Sequence, residues 1–447
     1  MTLDPAPLDR AIPPFVAGDR VAWIGDSISH NGWWHRYVLA FLATRFPQQV
    51  FTVQNRGLSG DDAGGALRRF REDIATTPPT RATVMFGMND VKRSLYGGLD
   101  STARCQARAE ALARYAANLE SLVDRVVALG TAPILLTPTP YDQTTVSLTM
   151  NHVGVNDALA RCRDIVMACA ARRRLPVIDL HTPLTALHQR HQAVDPGFSL
   201  IGPDRVHPGE MGHLAIAYHV LRAFDIDGLV SDLAIDAAAA RVDRHRHLAV
   251  SEFAATPDGC SLTVLSRSLP FPLTPGARLA LALVPFAQDL DQELLTVTSL
   301  RPGFYRIRID GRDVATVASD QLAAGVNLAL LATPQHQQAL EVLEHGERAF
   351  AIIARMRHAI CIRHFVLSTT PDLDLADANA VDRVLADVEA ARRARQDEFG
   401  LAQISHYRTL HGRMAEAQAE ADAAHGAMWA AARPIPRRIE VVPVPGP

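Results

Sequence analysis

Three residues of this sequence, a serine, an aspartate and a histidine, have the types and spacing that nucleophilic catalysis requires. Ser27 follows the apolar residues 21–24 and the dipeptide Gly-Asp, so that its hydroxyl lies in the turn after a predicted strand. Asp204 and His207 lie three positions apart, far along the chain. At that spacing the carboxylate can orient the imidazole, whose other nitrogen can take the proton from Ser27. The pattern predicts a serine nucleophile that attacks a carbonyl carbon.

Two further polar segments could stabilise the negative charge that develops on the carbonyl oxygen during such an attack. Residues 59–61 (Ser-Gly-Asp) follow the second predicted strand, and residues 87–90 (Gly-Met-Asn-Asp) follow the third. Because the carboxyl ends of parallel strands meet at one edge of a sheet, we expect both segments to lie beside Ser27. The predicted oxyanion donors are the backbone N–H groups of Ser27 and Gly60 and the side-chain amide of Asn89.

The elements that carry these residues alternate between strand and helix from residue 20 to about residue 225. Short β-rich apolar runs are followed by longer helical patterns, which is typical of an α/β fold with a parallel sheet covered by helices on both faces. The last helix of this region begins after Pro208, a residue suited to a first helical turn. The predicted strands are 20–24, 50–54, 83–86, 133–136 and 176–178.

The second half of the chain has a different pattern, and we divide it into three parts after a catalytic domain at 1–232. Residues 233–332 predict a small, β-rich, antiparallel region, in which Asp310-Gly311 between two alternating runs indicates a hairpin. Residues 333–433 predict helices that begin with a capping Thr333 and break near Gly400. Residues 434–447 are predicted to be a proline-bearing tail.

The composition is typical of a globular protein and disfavours several other classes of protein. The chain has 447 residues, of which 48% are hydrophobic and 21% are charged, and its net charge is −3, so no basic surface favours nucleic acid as a partner. The first residues show no secretory signal, and no apolar run is long enough to span a membrane, so we expect a cytoplasmic protein. The five cysteines are scattered, which favours reduced, mostly buried thiols over disulfides or a zinc site. We expect neither a metal nor a cofactor.

The four polar segments together resemble the four conserved blocks of the SGNH, or GDSL, serine hydrolases. The segments are 25–28 (Gly-Asp-Ser-Ile), 59–61, 87–90 and 204–208 (Asp-Arg-Val-His-Pro), and they occur in the order of the family. The resemblance covers roughly residues 18–225. It implies a flavodoxin-like α/β/α sandwich that hydrolyses esters through an acyl-enzyme without a metal, with Ser27 as nucleophile, Gly60 and Asn89 as oxyanion donors, His207 as base and Asp204 as its orienting acid.

Several alternatives remain open at this point. Ser59 is a rival nucleophile, but Asp61 stands where a Gly-x-Ser-x-Gly elbow needs glycine. The expected substrate is a short acyl ester, with acetyl on a carbohydrate or related small metabolite preferred over a lysophospholipid or acyl thioester. A rival of another class is a non-catalytic binding or assembly protein on a hydrolase scaffold. The C-terminal helices could support a homo-oligomer, and the loop 269–272 (Leu-Pro-Phe-Pro) could cap the active site.

Overall fold

The computed structural model describes residues 12–147 and 149–444, and the chain divides into two compact units. The first unit consists of Met1–Arg36, Phe51–Ala223 and Arg348–Ala423. The second unit consists of Tyr37–Val50, Phe224–Glu347 and Ala424–Pro447. Each unit combines segments from distant parts of the chain, and the predicted linear division at residues 232, 332 and 433 stays a prediction.

A five-stranded parallel sheet with flanking helices forms the centre of the first unit, which confirms the predicted α/β fold. Its strands are β1 (Arg20–Gly25), β2 (Thr52–Gly57), β3 (Arg81–Met85), β4 (Ala132–Leu136) and β5 (Val177–Ile178). The helices of this part of the chain are α1 (Ser27–His30), α2 (Trp33–Arg45), α3 (Ala63–Arg68), α4 (Thr102–Ala128), α5 (Val155–Arg173), α6 (His181–Gln192) and α7 (Glu210–Ala223). The strand order is β2-β1-β3-β4-β5.

The register of the three strands β2, β1 and β3 brings their carboxyl ends to the same level. Gly25, the last residue of β1, pairs with Gly57 of β2 on one side and with Met85 of β3 on the other. The turns that carry Ser27, Gly60 and Asn89 therefore leave the sheet next to one another. Strand β2 begins and ends later than predicted, because its polar second half also pairs in the sheet. The side chain of Asn55 in this half donates a hydrogen bond of 2.8 Å to the carbonyl of His30.

The β-rich region of the second unit contains two sheets rather than one. Its strands are β6 (Leu229–Asp236), β7 (Arg241–Arg246), β8 (Leu248–Thr256), β9 (Gly259–Ser266), β10 (Gln292–Thr298), β11 (Phe304–Ile309), β12 (Arg312–Ala318), β13 (Val326–Asn327) and β14 (Arg437–Pro443). The sheet β13-β10-β6-β7 is mixed, because β6 and β10 run parallel. The sheet β12-β11-β14-β9-β8 is antiparallel throughout. The β11–β12 hairpin turns at Asp310-Gly311 as predicted.

The prediction of a tail after residue 433 is wrong, because β14 forms the middle strand of the antiparallel sheet. It pairs with β11 on one side and β9 on the other. Ile439 and Val441 are buried and alternate with Glu440 and Val442, which is the period of a strand with one face on a core. Pro434 and Pro436 precede the strand and Pro443 is its last residue, so no proline removes a ladder hydrogen bond in the middle of the strand.

Helix α11 (Pro334–Phe365) begins where the sequence predicts, with Thr333 Oγ accepting the N–H of His336 at 3.1 Å. The rest of the helical region forms three helices, and the chain breaks at residues 395–397 and 411–413. Gly400 lies in the first turn of its helix, where its N–H donates to the capping Asp397 at 2.8 Å. The remaining helices are α8 (Pro275–Arg278), α9 (Phe286–Leu290), α10 (Ser319–Ala324), α12 (Ala378–Ala394), α13 (Glu398–Leu410) and α14 (Met414–Ala431).

The cysteines and the loop 269–272 have well-defined surroundings in the structure. All five cysteines carry free thiols; four are buried and Cys105 is exposed. Phe271, in the loop considered as a cap, is buried in the second unit, with its ring centroid 4.7 Å from that of Phe286. No helix in the described part of the chain combines the length and apolarity needed to cross a membrane.

Two carboxyl groups buried in the second unit predict a specific pH dependence of its stability. Burial raises the pKa of Asp291 and of Glu293 to about 7, although Asp291 accepts the N–H of Phe271 and Glu293 accepts the amide of Gln335. In the unfolded chain these groups ionise near pH 4, at about 3.9 and 4.3. Between pH 4 and pH 7 the unfolded chain therefore loses protons that the folded chain keeps, and their contribution to stability falls.

We expect that the stability of the double variant Asp291→Asn/Glu293→Gln does not show this fall between pH 4 and pH 7. Each unit of pKa difference corresponds to about 1.4 kcal/mol, so the melting temperature of the variant should rise relative to wild type by several degrees between pH 4.5 and pH 8. Differential scanning calorimetry across this range measures the difference. Asp258→Asn is the control, because Asp258 lies in an exposed ion pair with Arg301. Melting temperatures that change with pH in the same way for wild type and double variant would contradict the prediction.

Candidate active site

Ser27 is placed by the end of the central strand and the short helix that follows it. Strand β1 ends at Gly25, and Asp26 caps α1 by accepting the N–H of Ile28 at 3.0 Å. Ser27 is the first residue of the helix and is 8% exposed. Asp26 is thus a capping group, and its burial raises its pKa to about 6.

The structure brings Ser27, His207 and Asp204 together although 180 positions separate the serine and the histidine. His207 Nε2 lies 2.7 Å from Ser27 Oγ, and His207 Nδ1 makes a close hydrogen bond with Asp204 Oδ2. The other carboxylate oxygen of Asp204 accepts the backbone N–H groups of Val206 at 3.0 Å and His207 at 2.9 Å. This arrangement has the connectivity of a serine, base and orienting acid.

The electrostatics of Asp204 suit an orienting acid. Partial burial raises the pKa of its carboxyl group, but the hydrogen bonds from the ring and backbone of His207 and from the backbone of Val206 outweigh this effect. The pKa of Asp204 is therefore held well below its ordinary value of 3.8. The carboxylate stays ionised, and it can only accept from His207 Nδ1, which leaves Nε2 as the acceptor for the serine proton.

Arg205 holds the turn between the acid and the base, and sequence reasoning did not find this role. Its backbone has a left-handed φ of 64°, and its side chain is almost fully buried. The guanidinium donates to the carbonyls of Asp142 at 2.9 Å and Thr145 at 3.2 Å, while Asp142 N–H donates back to the carbonyl of Arg205 at 3.0 Å. An arginine in the polar segment between Asp204 and His207 gives no local sign that it will be buried.

The predicted oxyanion donors Gly60 and Asn89 are joined by one hydrogen bond between their segments. Asn89 Nδ2 donates to the carbonyl of Asp61 at 2.8 Å, and Asn89 Oδ1 accepts from Arg93 at 3.0 Å. Because arginine can only donate, Arg93 fixes which end of the amide is the oxygen. One N–H of the amide is used by Asp61 and the other is left for a ligand. Gly60 has φ +84°, a conformation that favours glycine.

Two buried acids next to these donors shape the loops and do not contact Ser27 Oγ in the described structure. Asp90 Oδ1 accepts the N–H of Ala63 at 3.0 Å, which ties the segment after β3 to the helix after β2. Burial raises the pKa of Asp90 to about 7. Asp61 accepts from Arg69 Nε at 2.8 Å. Among the described residues, no group of three or more His, Cys, Asp or Glu side chains is arranged to hold a metal ion.

The rival nucleophile Ser59 contacts a different histidine. Its hydroxyl lies 2.9 Å from His30 Nδ1, and its backbone N–H donates to the same nitrogen at 3.1 Å. Asn31 Nδ2 donates to Ser59 Oγ at 3.3 Å. Burial lowers the pKa of His30 well below 6.5, so this ring is a weaker base than an exposed imidazole. These contacts favour a role for Ser59 in holding its own loop.

The site matches a known family, and the fold has a close structural relative. Residues 23–215 match the model of the GDSL-like Lipase/Acylhydrolase family. An acetylxylan esterase from Geobacillus stearothermophilus is 25% identical over 224 residues, which cover 46% of this chain and 94% of that protein. A solved structure described as a gut microbial diltiazem-metabolizing enzyme is 26% identical with a TM-score of 0.87, over 97% of this chain and 100% of that one. Residues 23–215 therefore form a domain of the SGNH/GDSL family, and the protein is an ester-bond hydrolase.

Proposed function

We propose that the protein is a serine esterase that removes a short acyl group, acetyl above all, from a carbohydrate or related small metabolite. The observation that carries this proposal is the 2.7 Å contact between Ser27 Oγ and His207 Nε2, with Asp204 on the other ring nitrogen. Ser27 is buried, while the side chains of His207 and Asp204 are about half exposed. An ester can thus approach the serine from the solvent side of the histidine.

In the acylation step, Ser27 Oγ forms a bond to the carbonyl carbon while His207 Nε2 takes the hydroxyl proton. The carbonyl oxygen becomes negatively charged, and the backbone N–H groups of Ser27 and Gly60 and the free N–H of Asn89 donate to it. When the intermediate collapses, the bond to the leaving alcohol breaks and His207 gives its proton to that oxygen. The products are the free alcohol and an acyl ester on Ser27.

In the deacylation step, water replaces the alcohol and the same groups act again. His207 takes a proton from the water, whose oxygen bonds to the acyl carbon, and the proton then passes to Ser27 Oγ as the ester bond breaks. Asp204 keeps the ring in the tautomer with the proton on Nδ1 throughout. The acid is released and the enzyme returns to its starting state.

The preference for acetyl on a carbohydrate is supported by one relative. The Geobacillus stearothermophilus protein, named as an acetylxylan esterase, aligns over nearly its whole length with this chain. A lysophospholipid or acyl thioester remains the other candidate substrate class.

The test is a panel of esters that differ in acyl length and leaving group, assayed with the full chain. We expect kcat/KM to be highest for acetylated oligosaccharides and 4-nitrophenyl acetate, and to fall at least about tenfold toward octanoyl esters, since each misfitting group removes transition-state contacts. A fluorophosphonate should label Ser27, as read by peptide mass spectrometry. Higher kcat/KM for palmitoyl-CoA or lysophosphatidylcholine would contradict the acetyl proposal, and no turnover of any ester would favour a binding protein.

A further inference from the structure

The part of α11 that belongs to the first unit contacts the loop that carries Gly60. Arg357 is 2% exposed, and its Nε donates to the carbonyl of Gly57 at 2.9 Å. At the next position of the helix, the ring of His358 lies edge-on to His30 with 5.3 Å between centroids, and His30 accepts the backbone N–H of Ser59. The helix therefore contacts this loop directly through Arg357 and through His364, whose Nε2 lies 3.9 Å from Asp61 Oδ1, and indirectly through His358.

The same arginine is anchored by a buried carboxylate. Arg357 Nη1 and Nη2 donate to the two oxygens of Asp73 at 2.6 and 2.7 Å. Asp73 also accepts from Arg56 at 3.0 Å and makes a close ion pair with Arg69. Burial would raise the pKa of Asp73, but the neighbouring guanidiniums, Arg357 first, lower it far below its usual range. The carboxylate is therefore ionised, and it fixes Arg357 with two parallel hydrogen bonds.

Arg69, which also pairs with Asp73, contacts the loop both before and after Gly60 in the sequence. Arg69 Nη2 donates to the carbonyl of Arg56 at 2.9 Å, and Arg69 Nε donates to the side chain of Asp61. With the bond from Arg357 to Gly57, the loop is held before Gly60 at two carbonyls and after it at one carboxylate. A side chain at position 57 would place its Cβ 2.3 Å from the backbone nitrogen of His30, so the loop also lies tightly against α1.

We infer that Arg357 is a positioning residue for the backbone N–H of Gly60, so that helix α11 completes the oxyanion hole. The inference rests on the proposed serine-esterase function. Arg357 lies outside residues 23–215, the part that matches the family model, so this element is supplied by the C-terminal half of the chain. Displacing an oxyanion donor weakens the transition state more than the bound ester, because the charge on the oxygen is full only in the transition state.

The test compares Arg357→Lys with Arg363→Lys in the full chain. Lysine keeps a positive charge near Asp73 but cannot donate to both carboxylate oxygens and to Gly57 from fixed positions. Arg363 is the matched control, because it lies on the same helix and pairs with Glu72, next to Asp73, in an exposed ion pair of 3.3 Å. We expect Arg357→Lys to lower kcat for 4-nitrophenyl acetate about 10- to 100-fold with KM within about twofold, as for a misplaced catalytic group.

The readouts separate positioning from loss of folding. The active fraction is counted by fluorophosphonate labelling, so that kcat refers to folded molecules, and the midpoint of the pH–rate profile should stay that of wild type, since His207 and Asp204 are untouched. Should Arg357→Lys not fold, Arg357→Met carries the same test, because methionine fills the space of the aliphatic stem without a donor for Gly57, while Asp73 keeps Arg56 and Arg69 as partners. Wild-type kcat, or a raised KM with unchanged kcat, would overturn the inference. An active Ser27→Ala variant would instead overturn the proposed function.

Discussion

Ser27→Ala is expected to lower kcat for 4-nitrophenyl acetate by about 10⁴- to 10⁶-fold, the range seen when the nucleophile of a triad is removed. The variant lacks the hydroxyl oxygen that lies 2.7 Å from His207 Nε2, so no acyl-enzyme can form at this position. The backbone N–H of residue 27 and the rest of the oxyanion hole remain, and they explain why some hydrolysis above the uncatalysed rate should persist. Steady-state kinetics on purified protein, with the same thermal unfolding as wild type, measures the effect.

The matched control for this prediction is Ser59→Ala. Ser59 is also a serine in a turn after a strand, and its hydroxyl also contacts a histidine, His30. If Ser27 is the nucleophile, the Ser59 variant should keep at least about a tenth of wild-type kcat, since its backbone N–H still bonds to His30 and holds the loop. A lower kcat for Ser59→Ala than for Ser27→Ala would contradict the assignment of Ser27 as the nucleophile.

Asp204→Asn should lower kcat by about 10⁴-fold, as found when the orienting acid of a triad becomes an amide. An amide can donate to His207 Nδ1, whereas the carboxylate can only accept from it. The ring would then carry its proton on Nε2, and that nitrogen could no longer accept the proton of Ser27. The fold should be preserved, because the amide oxygen can still accept the backbone N–H groups of Val206 and His207.

Asp195→Asn is the control for the effect of the amide on a turn. Asp195 Oδ1 accepts the N–H of Gly197, two positions on, as Asp204 Oδ1 accepts that of Val206, but no triad depends on it. Its kcat should stay within about twofold of wild type. If Asp204→Asn retained more than a tenth of wild-type kcat, the tautomer of His207 would have to be set by another group, and Asp204 would lose its assigned role.

The local features of the chain were predictable because their signals lie within a few residues. An apolar run followed by Gly-Asp-Ser marks the end of a strand and the turn after it, and the register of β1 with β2 and β3 places the turns after these strands side by side. Thr333 before a proline marked the start of α11, and Asp310-Gly311 marked the hairpin between β11 and β12. In each case the residues that determine the structure are the residues that adopt it.

Strand β14 could not be predicted from its own residues. Its short, proline-flanked sequence indicates a tail when read alone, but β9 and β11 offer it two unpaired edges with matching register. Strand pairing depends on a partner elsewhere in the chain, and the prolines do not interfere with the ladder because Pro434 and Pro436 precede the strand and Pro443 is its last residue. The mixed sheet around β6 and β10 was missed for the same reason.

The sequence predicts which serine, histidine and acid could act together, which glycine and asparagine lie beside them, and the α/β sheet that carries them. The residues that support these groups are visible only in the folded chain. Arg93 orients Asn89, Arg205 holds the acid–base turn, and Arg357 reaches Asp73 across 284 positions of chain. Such contacts leave no local pattern, because a buried arginine is stabilised by a carboxylate or a carbonyl that only the folded chain brings near.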